Sequence, residues 1–425
     1  MKTSNPTPRR VSQNALWLSL AAAGTFTVHG TDGYFANGYG AKAKGRAGVA
    51  IAETDDAFGG ANNPATIAWG DNRFDIGLEW FRPQREVSRL SPAPGWTGGV
   101  TSERDNFFIP EIAYKHALGT DLAFGVSIYG NGGMNTDYPT NPATGKNVLG
   151  GSGHLGVNLS QLLVAPTLAW KFAPNQSLGL APIIGYQRFK AYGLDGFGWL
   201  SNDPLALTDR GVDEAWGIGA RVGYLWNIRP EIAFGIDYSS PVFSQGFGKY
   251  RGLFAGNGSF DIPQSAGAGF TWQALSKLKL GLDYKYIDYA GIDPVGLPSS
   301  QPGKLGLSNG PGFGWKSISV VKVGADWKVA DQWTLRAGYS FNENPIGPND
   351  VTFNILAPGV VQHHLTAGLT FEFGKHELTA AYAHAFQNSV TGPSLFGALN
   401  PALAGTTEEI TMSQDSVTLA YGFKF

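Results

Sequence analysis

The chain closes on Ser416–Phe425, SVTLAYGFKF. Val417, Leu419, Tyr421, Phe423 and Phe425 are apolar, whereas Ser416, Thr418, Ala420, Gly422 and Lys424 between them are small or polar. Side chains of an extended strand point alternately to opposite faces, so this spacing predicts a strand that is greasy on one side only. A strand of that kind, ending the polypeptide on an aromatic, fits the last stave of a bacterial outer-membrane β-barrel.

The same period of two recurs upstream. Phe74, Ile76, Leu78 and Trp80 alternate with Arg73, Asp75, Gly77 and Glu79. Further alternating segments follow at Phe108–Tyr114, Leu122–Ile128, Leu162–Phe172, Leu178–Tyr186, Trp216–Trp226, Ile232–Tyr238, Ala266–Trp272, Leu278–Tyr286, Val321–Trp327, Trp333–Phe341, Leu365–Phe373 and Leu378–Phe386. With Val417–Phe425 they predict fourteen strands, an even number as in single-chain bacterial barrels. Arg221, Asp237, Lys279, Asp283, Lys285, Lys322, Asp326, Arg336 and Glu372 all fall on the polar phase. A Lys or Arg on the lipid face at mid-bilayer costs about 2–4 kcal/mol, which accounts for the segregation. Closure into a cylinder is then obligatory, because an open sheet edge in hydrocarbon leaves backbone groups unpaired.

Composition agrees. The 425 residues include 12 Trp, 16 Tyr, 26 Phe, 59 Gly and no Cys, and 15% are charged. Soluble domains carry about 25% charged residues, so much of this surface is expected to face something other than water. Mean hydropathy is nevertheless −0.11, and no apolar run after residue 30 is long enough for a spanning helix. A formal net charge of −2 gives no electrostatic footprint for nucleic acid. The absence of cysteine removes disulfide and thiolate chemistry. Lys2, Arg9 and Arg10 precede an apolar stretch from Ala15 to Val28, and Val28 and Gly30 are small enough for a cleavage site, so residues 1–30 read as a secretory signal peptide.

The connections carry orientation. Leu118–Thr120, Pro174–Asn175, Arg229–Pro230, Leu275–Ser276, Ala330–Asp331 and Gly374–Lys375 are tight turns. They alternate with long stretches such as Pro83–Asp105, Gly130–Ser160, Tyr289–Ser317 and Gln387–Asp415. Short periplasmic turns and long extracellular loops are the habit of outer-membrane barrels. Pro110, Pro166 and Pro182 lie within strand segments, and each is expected to mark a bulge, an end or a local break.

Residues 31–72 do not alternate; they are rich in Gly, Ala and Asn. A fourteen-strand barrel is wide enough to need filling. Small residues at lumen-facing positions, Ala123, Gly125, Ser127, Gly217, Gly219 and Gly235, leave room for a plug. The expected organisation is therefore a signal peptide at 1–30, an N-terminal hatch at 31–72 inside the lumen, and a transmembrane barrel at 73–425.

Several motifs resemble one family, the FadL-type outer-membrane transporters of long-chain fatty acids and aromatic hydrocarbons. They are NGYGAKAKGRAGVA (Asn37–Ala50), DAFGGANNPAT (Asp56–Thr66), KYRGLFAGNGSFDIPQS (Lys249–Ser265), GPGFGW (Gly310–Trp315), FNILAPGVVQHHLTAG (Phe353–Gly368) and the terminal YGFKF. The resemblance runs from about Tyr34 to Phe425 and implies a fourteen-stranded, hatch-plugged barrel. It also implies passive uptake: capture in an apolar groove among the extracellular loops, passage to a pocket near the hatch, and sideways release through a gap beside a kinked third strand. The family's hatch motif falls on Asn63, Pro64 and Ala65, and its pocket-reaching N-terminus on Tyr34 and Phe35. The kink falls within Ala123–Gly133, where Gly130, Gly132 and Gly133 cluster. The resemblance suggests a monomer in contact with outer-membrane lipid and lipopolysaccharide. Lys249, Tyr250 and Arg251 are candidates for its phosphates, with solvent as the simpler surrounding and a substrate carboxylate as the sharper one.

Simpler readings stand beside these. Asn-Pro initiates turns on its own account. Tyr34 and Phe35 could merely pack the plug. His363 and His364 lack further ligands at workable spacing, so no metal is expected. Gly38-Tyr39-Gly40 lacks the spacing of a nucleotide loop, and no cofactor is implied. A hydrophilic diffusion porin is the main alternative and would have no plug. A barrel hydrolase would need a Ser, His and Asn or acid constellation that no spacing singles out, so no enzymatic activity is expected.

Overall fold

The computed structural model describes residues 31–425; the proposed signal peptide at 1–30 lies outside the described residues. Fourteen long strands run β1 Arg73–Leu90, β2 Phe107–Ala117, β3 Leu122–Asn135, β4 Gly156–Ala173, β5 Gln176–Tyr192, β6 Asp213–Arg229 and β7 Ile232–Ser239. They continue as β8 Ser265–Leu275, β9 Leu278–Ile287, β10 Ile318–Ala330, β11 Trp333–Asn342, β12 His363–Phe373, β13 His376–Pro393 and β14 Thr407–Lys424. Each is antiparallel to the next, and β14 closes on β1 along its whole length, from Thr407 opposite Leu90 to Lys424 opposite Arg73. The result is a closed barrel with the apolar phase outward: Ile76, Leu78, Leu168, Trp170, Leu180, Ile218, Leu365 and Leu419 are exposed. Arg73, Asp75, Glu79, Arg221, Asp283, Lys322 and Arg336 on the other phase are buried in the lumen.

Several strands outrun their periodic signal. β1 was expected to end near Trp80 and continues to Leu90; β13 and β14 likewise extend into stretches that read as loop. The outward residues of β1 beyond Trp80 are Arg82, Gln84, Glu86 and Ser88. Above the hydrocarbon the outer face meets water, so the apolar–polar contrast fades while the ladder continues. A short strand, Gly98–Thr101, folds back on this extension.

The strand prolines mark interruptions. Pro166 in β4 and Pro182 in β5 lie opposite each other. The β4–β5 ladder lapses between the pairs Val164–Ile184 and Leu168–Leu180 without changing register. Proline cannot donate to a ladder, and here two of them coincide.

Residues 31–72 fill the lumen and are almost all buried. Their only regular α-helical turn among the described residues is Ala41–Gly45, packed against β12 and β13. Poor regularity is tolerable because buried polar groups find partners in the wall. Lys42 pairs with Glu377 at 2.8 Å, Arg46 with Asp326 at 2.9 Å and Asp32 with Lys322 at 2.7 Å. Buried charges left alone would be costly, so these pairs fix where the segment sits.

Candidate functional site

The wall is incomplete at one place. β2 pairs with β3 only from Ile112–Ile128 to Ala117–Ala123. Beyond Ile112, Phe107–Glu111 remain paired to β1, but β3 has turned away toward β4. The turn is a β-bulge between Gly130 and Gly132. A bulge adds one residue to a strand and bends it. The extra residue is Asn131, whose side chain points inward, accepts from Tyr39 Oη at 2.9 Å and donates to Gln161 Oε1 at 2.9 Å. Gln161 in turn donates to Gln187 Oε1 at 2.8 Å. The lumen thus holds the bulge by hydrogen bonds from inside. Pro110, on the strand that β3 leaves, supplies no N–H at the break.

A cavity of ≈ 350 Å³ lies behind this gap and opens through it. Phe107, Ile109 and Pro110 border one side and Gly130, Gly132 and Gly133 the other; Tyr34, Ala36 and Asn37 of the leading segment form the inner wall. Among its polar residues Lys44, Glu79, Gln161 and Ser416 are hydrogen-bonded, whereas Asn37 Nδ2 and Asn135 Oδ1 have no partner among the described residues. Lys44 Nζ lies 2.8 Å from Glu79 and 2.9 Å from Glu111, which keeps the ammonium pKa above its ordinary value against the cost of burial. Such a site offers a hydrophobe an apolar bed with few unpaid polar contacts.

Tyr34 and the three glycines, expected at a pocket and an opening, line this single cavity. Phe35 does not line it. Phe35 forms a bridge to Gly132 and packs edge-on against Tyr289 at 5.6 Å. The Tyr289 hydroxyl accepts from the Tyr34 and Phe35 amides, both at 3.2 Å, and pins this end of the segment. A Cβ on Gly132 would lie 1.8 Å from Tyr34 O, so only glycine permits this approach.

Asn63, Pro64 and Ala65 sit elsewhere, against β5 and β6. Asn63 Oδ1 accepts from the Ala65 amide at 3.0 Å, capping the 3-10 turn Pro64–Ala68. Its Nδ2 donates to Ile51 O at 2.7 Å and Tyr224 O at 3.0 Å. A Cβ on Gly223 would meet Asn63 Oδ1 at 1.9 Å, and one on Gly179 would meet Pro64 C at 2.2 Å. The geometry is that of a pin between the leading segment and the wall, and none of the three residues lines the cavity.

Sequence reasoning missed Phe107, Ile109, the Lys44–Glu79–Glu111 group and Asn131. Pro110 was the available signal. The inward turn of Asn131 had none, since a bulge shifts phase by one residue without marking the residue that moves.

A closed fourteen-strand barrel with an apolar outer face, a filled lumen and a cavity opening sideways defines an outer-membrane transport barrel. Residues 20–409 match the family model described as outer membrane protein transport protein (OMPP1/FadL/TodX), and the chain belongs to that family. The long-chain fatty acid transport protein of Escherichia coli O6:H1 is 23% identical over 411 residues, covering 86% of this chain and 90% of that one. Among solved structures, the Pseudomonas aeruginosa FadL homologue superposes with a TM-score of 0.69 at 17% identity, over 92% of this chain and 100% of that one. The Pseudomonas putida toluene transporter TodX gives 0.67 at 16%, over 92% and 99%. The Ralstonia pickettii toluene transporter TbuX gives 0.64 at 18%, again over 92% and 99%. The protein resides in the bacterial outer membrane.

Proposed function

We propose that this barrel admits small hydrophobic molecules, long-chain fatty acids or aromatic hydrocarbons, without energy input and releases them sideways into the bilayer. One observation carries the reading: the cavity bounded by Tyr34 continues through the gap between β2 and β3 to the lipid-facing surface at Phe108 and Leu162. An apolar solute gains about 25 cal/mol per Å² on leaving water, so a straight aqueous bore would be a poor route for it. The substrates for which the relatives are named, long-chain fatty acid and toluene, are of the same apolar class.

Capture is assigned to a second apolar hollow among the extracellular loops, bordered by Leu149, Leu194, Phe197, Phe254, Phe313 and Phe353. Residues 31–72 act as a hatch, with Asn63-Pro64-Ala65 as its anchor and Tyr34 as its ligand-facing end. The filled lumen speaks against a hydrophilic porin. The barrel works as a monomer, without catalysis and without a cofactor. Proteoliposomes test this: toluene or oleate should enter faster than in empty vesicles, with little ion conductance. Large steady conductance without hydrophobe entry would overturn the reading.

A further inference from the structure

We propose that a phosphate-bearing lipid docks at the outer mouth of the β2–β3 gap, its acyl chain in a trough on the barrel's outer face and its phosphate on Arg188 and Lys190. The inference rests on the reading that the gap opens to the bilayer. Its starting point is that the cavity runs on outside the wall, across β4 to Tyr186 and Arg188 of β5.

Strand register lays out that surface. Gly130 lies opposite Leu162 and Leu162 opposite Tyr186, forming one outward row. Gly133 lies opposite Ser160 and Ser160 opposite Arg188, forming the next row toward the loops. The second row thus has two near-absent side chains, Gly133 and Ser160, between Phe108 on one flank and Arg188 at the end. Phe108 is 67% exposed. The outward surface of a spanning barrel is normally a continuous apolar band, so a floor of glycine and serine leaves a trough the width of a chain.

The trough ends where polarity changes. Tyr186 packs on Trp216 with ring centroids 4.9 Å apart, a pair of the kind found at the aromatic girdle of the membrane interface. The next two outward residues of β5 are Arg188 and Lys190, at the height where lipid headgroups carry their phosphates. Arg188 is 55% exposed and forms an ion pair with the equally exposed Glu214 at 3.7 Å, a solvent-screened contact that a lipid phosphate would displace. Lys190 has no carboxylate within ion-pair distance among the described residues and lies over the Tyr192 ring at 5.0 Å. Asn158 opposite Lys190 adds an amide donor in the same row, whereas the Nδ2 of Asn135 beyond it donates to Leu159 O at 3.1 Å. Arg104 faces Tyr192 beside them, together with Asp137, which His154 engages at 3.0 Å. A guanidinium fork and an ammonium side by side suit a phosphate's several oxygens.

The joint demand for an acyl-sized trough and a paired cation selects an amphiphile. Seated there, the lipid would exclude water from the mouth and give an emerging solute an apolar surface to cross.

The test uses the full-length protein purified from outer membranes in mild detergent, with retained phosphate-bearing lipid counted by native mass spectrometry. Arg188→Glu with Lys190→Glu should cut retention about tenfold, the scale of a lost charge-assisted contact. Ser160→Leu fills the trough with the cations intact and should cut retention as well. Both variants should keep wild-type heat-modifiable gel mobility, and Arg188→Lys should restore part of the binding. Unchanged retention in the double variant overturns the proposal. So does competition by inorganic phosphate with Ser160→Leu neutral, which would mean a free-phosphate site. Lipid retention is scored separately from hydrophobe entry, so lipid that binds normally to a barrel failing to admit hydrophobes would count against the transport reading alone.

Discussion

Phe35 of the leading segment bridges to Gly132 of β3 within the stretch of that strand that β2 has left. A wall position freed of its neighbour is thus backed from inside by the plug. Gly132→Ala brings its added methyl group to within 1.8 Å of Tyr34 O, a clash that forces the segment to move. The expected outcome is a displaced N-terminal end of the segment and a measurable rise in small-solute leak. Gel mobility should stay that of a folded barrel. Single-channel recording checks it.

Asn63 is fully buried and satisfies three groups at once, the amide of Ala65 and the carbonyls of Ile51 and Tyr224. Leaving buried partners unmade costs about 1–3 kcal/mol per group. Asn63→Ala should therefore speed hydrogen exchange across 61–68 while the β14–β1 ladder stays protected. Gly223→Ala, which meets the Asn63 side chain from the wall, should give the same local pattern.

Lys44 sits between two carboxylates, Glu79 of β1 and Glu111 of β2. Lys44→Met strands both acids in a buried site. Breaking a buried pair from one side costs about 3–5 kcal/mol, and the segment around Ala41–Gly45 should detach first. Adding Glu111→Gln should recover part of the loss, which proteolysis of the leading segment can read.

Burial, with Asp55 and Asp75 close by, pushes the Asp56 carboxyl up from 3.8 to about 6. Between about pH 3.8 and 6 the docked segment therefore holds a proton that the released segment gives up. Stability from this group is full below about pH 3.8 and declines as pH rises through about 6. Asp55 works the other way, since its pairing with Arg46 holds its carboxyl well below the ordinary value despite burial. The informative quantity is thus a difference. Urea release of the segment should lose the Asp56 component of its pH dependence in Asp56→Asn.

The barrel was legible because lipid imposes a strict rule. Every outward position from Phe74 to Trp80 and from Val417 to Phe425 must be apolar, and a period of two records it. Legibility failed where that rule lapses. Above Trp80 the outer face of β1 turns polar at Arg82, Gln84 and Glu86, so the strand's true end at Leu90 left no trace. At the gap, glycines announced freedom without saying which way the strand bends. The direction comes from the inward Asn131 and its contacts to Tyr39 and Gln161, residues far apart in the chain. The Asn63 anchor could be located by its turn chemistry, but its fit against Gly179 and Gly223 is a property of the assembled wall.

The central claim, sideways release between β2 and β3, can be put to one measurement. The chain has no cysteine, and a Cβ on Gly130 would lie 2.6 Å from Ile109 Cγ2, which puts the two Cβ atoms within disulfide reach. Ile109→Cys with Gly130→Cys should seal the gap on oxidation. Hydrophobe entry into cells carrying this variant should then stop and return on reduction, whereas entry through either single variant should not respond to oxidant. Entry that continues at full rate through the sealed barrel would contradict the account.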